Sequence, residues 1–122
     1  MELIIKALSI LVAIEFIFIM YLETLATTSK KTAETFNLTE KDLMNTKVNI
    51  LLKNQGIYNG LISIVILYGT FFSKNGQEIL IGSMLYITLV ALYGAYSSSN
   101  ISIFFKQATL AVITLVLLLI FW

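Results

Sequence analysis

The chain has 122 residues, of which 58% are hydrophobic and only 12% are charged. Soluble domains are nearer half apolar and a quarter charged, so a chain this short has too little polar surface to cover a water-soluble fold. The net charge of +1 excludes the basic surface that is typical of a nucleic-acid-binding protein. The absence of Cys excludes thiol chemistry, and the absence of His removes the commonest metal ligand. We therefore expect lipid around the chain, no metal and no cofactor.

Four apolar stretches follow one another, and each is close to the ~20 residues that a helix needs to cross a bilayer core. None alternates strictly between apolar and polar residues, and a backbone in lipid has no water to bond to, so each stretch should be a helix. The first should be retained, because its apolar run is longer than that of a signal peptide and no cleavage motif follows it. We predict one all-α domain, a four-helix transmembrane bundle with up-down-up-down topology. Its predicted spans are residues 3–25, 48–72, 79–96 and 101–122.

The first connection, residues 27–46, is the only long polar segment. Thr39 followed three residues later by Asp42 is typical of a helix N-cap, so the second helix should start near residue 40. The second connection, residues 73–77, predicts a tight turn in which Gly76 takes a positive φ. Because the later connections are short, successive helices should run antiparallel.

The lysines predict the orientation in the membrane. The third connection lies close to Lys106, whereas the second carries only Lys74. The first connection and its flanks carry Lys30, Lys31, Lys41 and Lys47. By the positive-inside rule, the first and third connections then face the cytoplasm and both termini face outward. Lys6 is the lysine that opposes this orientation.

Polar residues inside the spans predict a site. An ionised carboxylate at the bilayer centre costs ~2.5–3.5 kcal/mol, so it usually faces the bundle interior and has a partner. Glu15 falls near the middle of the first span and Glu23 near its cytoplasmic end, and helical periodicity places the polar residues of the second span on one broad stripe. We predict a polar pocket for a small molecule or a proton in the inner half of the bundle. Its predicted lining is Glu15, Glu23, Asn54, Gln55, Tyr58, Asn59, Tyr93 and Gln107.

Both carboxylates also have a structural interpretation. As a structural group, Glu15 would be protonated or would bond to Asn54 or Gln55 across the helices. Glu23 lies close enough to the interface to be an ordinary surface carboxylate.

Glycines in the spans predict close helix packing. Gly56 and Gly60 form a G-x-x-x-G pair, which lets a neighbouring helix approach closely, and Gly94 is a small-residue contact flanked by tyrosines. The amides beside Gly56 can hydrogen-bond across helices, at about 0.6–2 kcal/mol each. Three amides and a Tyr within six residues are more than helix packing alone needs.

A series of short motifs resembles one bacterial family. In chain order the motifs are Glu15 with Tyr21-Leu22-Glu23, Thr46-Lys47, the N-Q-G-x-Y-N-G run Asn54–Gly60, Tyr93–Ala95 and Gln107. Together they resemble the domain of unknown function family 1304, small bacterial proteins with four membrane spans. The resemblance covers nearly the whole chain, and N-Q-G-x-Y-N-G is its most specific element. It implies a four-span fold in the bacterial inner membrane, and it implies no activity because the family carries no established one.

The chain departs from the family's pattern at two places. Family members often have His after the first Glu, where this chain has Phe16. They often have Gly-Pro after the late Gln, where this chain has Ala108 and Thr109. Any chemistry that needs that His is therefore missing from this member.

Three hypotheses for the function stay open, and the first is a binding or transport protein. In it, Glu15 and the amides of the second span hold a small polar or cationic molecule, with coupling to a proton and with two copies forming a dimer. A four-span chain with one Glu in its first span is loosely similar to the small multidrug-resistance exporters, which use that Glu for both protons and cationic drugs. The long first connection and the polar second span depart from those exporters.

The second hypothesis is an enzyme acting on a lipid-soluble substrate, with Glu15 or Glu23 as acid or base and Tyr58 or Tyr93 as hydrogen-bond donor. No nucleophile or phosphate cradle is visible, so the sequence favours a protein that is not an enzyme. The third hypothesis is a structural or accessory membrane subunit. The expected partners are the lipid bilayer, a small-molecule ligand and a second copy of the chain, with no nucleic acid.

Overall fold

A computed structural model of the protein describes residues 1–122. It has six helices and no strand, so the predicted all-α fold is confirmed. The helices are α1 (Glu2–Thr24), α2 (Lys30–Phe36), α3 (Glu40–Met44), α4 (Thr46–Phe71), α5 (Gly76–Ser98) and α6 (Ile101–Phe121).

Four of these helices are long and apolar enough to cross a membrane. They are α1, α4, α5 and α6, with 23, 26, 23 and 21 residues. Their ends lie within three residues of the predicted spans. The chain is therefore a multi-pass integral membrane protein built from helices.

The chain forms two compact units. Unit 1 comprises Met1–Ile14 and Ile64–Trp122, and unit 2 comprises Glu15–Ser63. The long helices α1 and α4 each contribute one part to both units. The prediction of a single domain over residues 1–122 stays a prediction.

In unit 1, α5 and α6 pack antiparallel along stripes of buried residues. The Gln77 side chain at the start of α5 donates a hydrogen bond to the backbone carbonyl of Trp122 after the end of α6. The buried residues recur every three or four positions, as they do where one face of a helix meets a neighbour. They include Leu80, Met84, Ile87 and Ala91 on α5, and Ala108, Ala111, Thr114 and Leu118 on α6. The remaining faces carry exposed apolar side chains, which suits helices surrounded by lipid.

In unit 2, the polar connection forms two short helices and does not extend α4 toward residue 40. Thr39 is a helix N-cap, as predicted, and forms a capping box with Asp42, but the helix that it starts is α3, which ends at Asn45. The side-chain oxygen of Asn45 accepts hydrogen bonds from the backbone N–H of Lys47 at 2.9 Å and of Val48 at 3.3 Å. Asn45 therefore starts α4 as a new helix, which is why the predicted start near residue 40 is wrong.

The helix α2 is absent from the sequence-based prediction. Ser29 caps its start by accepting a hydrogen bond from the backbone N–H of Thr32 at 3.1 Å, and Asn37 ends it in the left-handed conformation with φ 55°. A small apolar core holds α2, α3 and the start of α4 together. This core consists of Ala33, Leu43 and Leu52, with the partly buried Leu38 and Val48 packed against it. We call residues 30–44 the α2–α3 cap.

The turn between α4 and α5 depends on close approach of the backbone. No glycine in the chain has a positive φ, and Gly76 lies buried in the first turn of α5, so its predicted left-handed conformation is wrong. A Cβ atom at Gly76 would collide with the backbone carbonyl oxygen of Gly69. Gly76 is therefore needed for space and not for its backbone angles.

The capping box predicts how α3 responds to acid. The backbone N–H of Thr39 donates to the Asp42 carboxylate at 2.9 Å, and this bond, followed by the effect of the Thr39 side chain, lowers the pKa of Asp42. A carboxylate with a lowered pKa stabilises the fold at neutral pH, and this contribution is lost as the pH falls through the lowered value. We expect the amide hydrogens of α3 to exchange faster, relative to their intrinsic rates, in that acidic range.

Hydrogen–deuterium exchange across an acid titration measures this effect. The Asp42→Asn variant should lose the pH dependence, because the amide cannot ionise. An identical exchange profile in the wild type and in Asp42→Asn would contradict this account of the capping box.

Candidate functional site

The most deeply buried carboxylate of the chain is Glu23, one residue before the end of α1. Its side chain is 0% exposed. One carboxylate oxygen, Oε1, accepts a hydrogen bond from the Asn59 side-chain amide of α4 at 2.6 Å. The other oxygen, Oε2, is buried and has no hydrogen-bond partner. A buried polar atom without a partner costs about 1–3 kcal/mol, and a charged one costs more.

Close packing of α4 against α1 brings Asn59 to Glu23. A Cβ atom at Gly56 would lie 2.5 Å from Thr24 Cγ2 and 3.0 Å from Glu23 Cβ, and one at Gly60 would collide with the sulfur of Met20. The two helices are therefore antiparallel, with Gly56 opposite the end of α1 and Gly60 one turn further in. The predicted packing role of this G-x-x-x-G pair agrees with these contacts, and the amide beside it follows from the same approach.

Hydroxyl groups tie the α2–α3 cap to the end of α1. The Thr32 hydroxyl, which is fully buried, lies 3.1 Å from the carbonyl oxygen of Leu22 and 2.6 Å from that of Ala26. The Thr27 hydroxyl donates to the carbonyl oxygen of Glu23 itself at 2.7 Å. The last turn of α1 is thus covered by folded chain, which explains how a carboxylate so near a helix end is withdrawn from water.

An open groove runs along the exposed face of α4 beside this carboxylate. Its volume is about 710 Å³, and its lining is Leu51, Asn54, Gln55, Ile57 and Tyr58. The Gln55 side chain is exposed in the groove and also lies beside the carboxyl group of Glu23. The polar residues of α4, predicted to form one stripe, therefore divide into two faces. Asn59 faces α1, Asn54 and Tyr58 face the groove, and Gln55 stands between them.

The other carboxylate that α1 contributes to unit 2 is Glu15, which is half-buried. Its Oε1 atom is buried and has no hydrogen-bond partner, so the bond to Asn54 or Gln55 expected for a structural role does not form. Glu15 precedes Glu23 by eight residues, about 12 Å along a helix. A pocket centred on Glu15 and the Asn54–Gly60 run stays a prediction, and the carboxylate of α1 with an amide partner is Glu23.

Sequence reasoning missed two buried polar residues of α4, Ser63 and Thr70, of which Ser63 lies in unit 2. Ser63 is fully buried, and its hydroxyl donates to the carbonyl oxygen of Asn59 at 3.3 Å. It lies seven residues after Gly56 and three after Gly60, on the face that those glycines present to α1. That periodicity was the signal that could have found it.

The remaining predicted residues lie in unit 1. Tyr93 on α5 is 69% exposed, and its ring centroid lies 6.2 Å from that of Tyr96. Gln107 is half-buried on α6. A Cβ atom at Gly94 would lie 3.6 Å from Ile103 Cγ2, an ordinary contact, so Gly94 is not needed for close packing there. The place of Tyr93 and Gln107 in the pocket stays a prediction.

Comparison with known proteins identifies the family. The family described as "Protein of unknown function (DUF1304)" matches residues 10–119. The chain belongs to this family. It is also 50% identical, over 109 residues, to the "Uncharacterized protein YpaA" of Lactococcus lactis subsp. lactis strain IL1403. The aligned region covers 89% of this chain and 91% of that relative. No solved structure matches.

The α1–α4 contact in this DUF1304 protein predicts the effect of one added methyl group. Gly56→Ala should destabilise the protein by about 1–3 kcal/mol, because the new Cβ must displace Thr24 and the Glu23 side-chain stem. Gly82→Ala is a matched control, since nothing lies within 4 Å of a Cβ atom there. It should be neutral or stabilising by up to about 1 kcal/mol. Unfolding in detergent measures both, and equal stability of the two variants would contradict the contact.

The hydroxyl of Thr32 predicts a second effect, on the cap alone. Thr32→Val keeps the shape of the side chain but leaves the carbonyls of Leu22 and Ala26 without this donor, at a cost of about 1–3 kcal/mol. We expect faster amide exchange in residues 30–44 and unchanged exchange in α5 and α6. Thr28→Val is the control, because Thr28 is an exposed threonine just before α2. Unchanged protection of the cap in Thr32→Val would show that this hydroxyl does not hold it.

Proposed function

We propose that this protein binds a small amphiphilic amine at Glu23, with the amine entering along the groove of α4. The amine donates a hydrogen bond to Glu23 Oε2, and its apolar part lies on the groove. The observation that carries the proposal is the buried state of the carboxylate: Asn59 donates to Oε1, the Gln55 amide lies beside the carboxyl group, and Oε2 has no direct hydrogen-bond partner.

The chemistry of the free oxygen selects the ligand. A carboxylate that is withdrawn from water is stabilised by a cation or by an N–H or O–H donor. No cation of unit 2 forms an ion pair with Glu23; the ion pair that the structure shows joins Lys6 and Glu2 in unit 1, at 3.4 Å. A bound amine supplies both the charge and the donor that the protein withholds.

The groove gives the ligand a route from the lipid side. Leu51 and Ile57 offer apolar contacts, and Asn54 and Tyr58 offer hydrogen bonds, so the groove suits a molecule with both characters. Gln55 separates the groove from the Glu23 carboxyl group, and a rotation of this one exposed side chain opens the way between them. Most of these residues belong to the N-Q-G-I-Y-N-G run.

Exchange with a proton follows from the same carboxylate. A proton and a bound cation each neutralise Glu23, so the two compete for it. Binding at neutral pH then releases a proton when the acid form was present, which is the coupling that a proton-driven transporter needs. Glu15 takes no part in the bound state in this proposal.

A structural role is the second candidate, and the hydrogen bond between Asn59 and Glu23 favours it. One interhelical bond of this kind holds two helices together in a membrane, at about 0.6–2 kcal/mol. A structural role requires no ligand, and it survives any change that keeps an acceptor at residue 23.

The test compares Glu23→Gln with the wild type by native mass spectrometry of protein released from mild detergent. The Gln side chain keeps an acceptor oxygen for Asn59 but loses the charge, so the variant should fold and should lose a non-lipid ligand that the wild type retains. Added benzylamine, a small amphiphilic amine, should bind the wild type and release protons. Glu34→Gln, at an exposed carboxylate on α2, is the control and should bind as the wild type does.

Glu15→Gln distinguishes between the two carboxylates that α1 contributes to unit 2. The proposal expects this variant to retain the amine, whereas a pocket centred on Glu15 requires its loss. The structural role would be established instead if neither the wild type nor Glu23→Gln retains a ligand or binds benzylamine, and if the two proteins are equally stable.

A further inference from the structure

A second polar cavity lies within unit 1, where α1 and α5 begin and α4 and α6 end. Its volume is about 330 Å³, within the range of small-molecule sites in proteins, which is about 300–1,000 Å³. The charged residues of its lining are Glu2, Lys6, Lys74 and Glu78, and hydroxyl and amide groups of Thr70, Ser73, Asn75 and Gln77 lie between them. None of these residues belongs to the Glu23 site.

The cavity carries one unpaired charge of each sign. Lys6 and Glu2 form an ion pair at 3.4 Å, so their charges largely satisfy each other. Lys74 and Glu78, which also line the cavity, are exposed and have no ion-pair partner. A ligand that complements this cavity therefore carries an anion for Lys74 and a cation for Glu78 on one small body.

The frame of the cavity is rigid on the side of the α4–α5 turn. Gly69 and Gly76 meet across the turn without room for a side chain, and the Ser73 hydroxyl accepts a hydrogen bond from the backbone N–H of Asn75 at 3.0 Å. Gln77 is held by its bond to the carbonyl of Trp122. Lys74 and Glu78 are thus presented from a fixed turn, which a specific site needs.

Aromatic residues place this cavity at the depth of lipid headgroups. Phe71 and Phe72 at the end of α4 are 59% and 79% exposed, and Phe121 at the end of α6 is 55% exposed. Trp122 follows Phe121 and lines the cavity. A band of exposed aromatic side chains at the ends of membrane helices is typical of the interface between acyl chains and water.

We propose that this cavity binds a phosphoethanolamine group, with the phosphate at Lys74 and the primary ammonium at Glu78. The zwitterion supplies both missing charges, and its N–H donors match the carboxylate and the hydroxyl oxygens of the lining. A choline group carries the same charge without an N–H donor, and a glycerol group carries no cation. The site therefore ranks ethanolamine above choline and glycerol headgroups.

The test measures lipid binding by native mass spectrometry of the whole protein from nanodiscs that contain equal amounts of POPE, POPC and POPG. We expect bound POPE to exceed POPG by about two- to fivefold, the range that one exposed ion pair of up to about 1 kcal/mol allows. POPE should exceed POPC by a similar factor, because choline keeps the charge but offers no N–H donor to the Glu78 carboxylate. Lys74→Gln should lower the binding of all three lipids. Glu78→Gln should abolish the preference for POPE and raise the share of POPG.

Lys53→Gln is the matched control, because Lys53 is an exposed lysine that does not line the cavity. It should leave the lipid ranking unchanged. Free phosphoethanolamine added to the sample distinguishes the two sources of the group. Displacement of POPE at millimolar concentration points to a soluble ligand, and retention of POPE points to a lipid held also by its acyl chains. Equal binding of the three lipids in the wild type, or the same ranking in Glu78→Gln, would overturn the proposal.

Discussion

The contact between Gly56 and the last turn of α1 is the constraint on which the organisation of unit 2 depends. Because neither Gly56 nor Gly60 has a side chain, α4 approaches α1 closely enough for Asn59 to reach the Glu23 carboxylate at 2.6 Å. The same approach removes the space that water would need around the carboxylate stem. The same helix contact therefore buries the carboxylate and brings its amide partner to it. A larger residue at Gly56 or Gly60 would remove both effects.

The polar connection completes what the helix contact begins. A carboxylate near the end of a membrane helix is ordinarily hydrated at the interface. Here the chain after α1 turns back, and Thr32 bonds to carbonyls of that helix end. The cap has its own apolar core and two capped short helices, so it is a folded element and not a loose loop. This arrangement keeps the Glu23 carboxylate away from water although it lies at the end of a membrane helix.

The sequence predicts the long elements well because length and apolar composition alone decide which helices can cross a bilayer. It also indicates a close helix contact at Gly56 and Gly60, since a G-x-x-x-G pair marks the approach of a neighbouring helix, but it does not identify that helix as α1. It fails at Asn45, whose single side chain ends one helix and starts another, and at Gly76, where the constraint comes from Gly69 across the turn. The sequence points to Glu15 because Glu15 lies near the middle of its span. Depth in a span does not show that Thr32 folds back and bonds to the end of α1.

The two carboxylate oxygens of Glu23 differ in their hydrogen bonding, and this difference favours a binding site over a purely structural carboxylate. A structural carboxylate stabilises the fold most when each of its buried oxygens has a hydrogen-bond partner, because every unsatisfied atom lowers the stability. An exposed amide, Gln55, already lies beside the carboxyl group, so a second donor is within reach of a small rearrangement. The chain nevertheless leaves Oε2 bare and places an amphipathic groove next to it. A buried oxygen that one exposed amide separates from a groove suits a donor that enters past Gln55, which is why we propose a ligand for it.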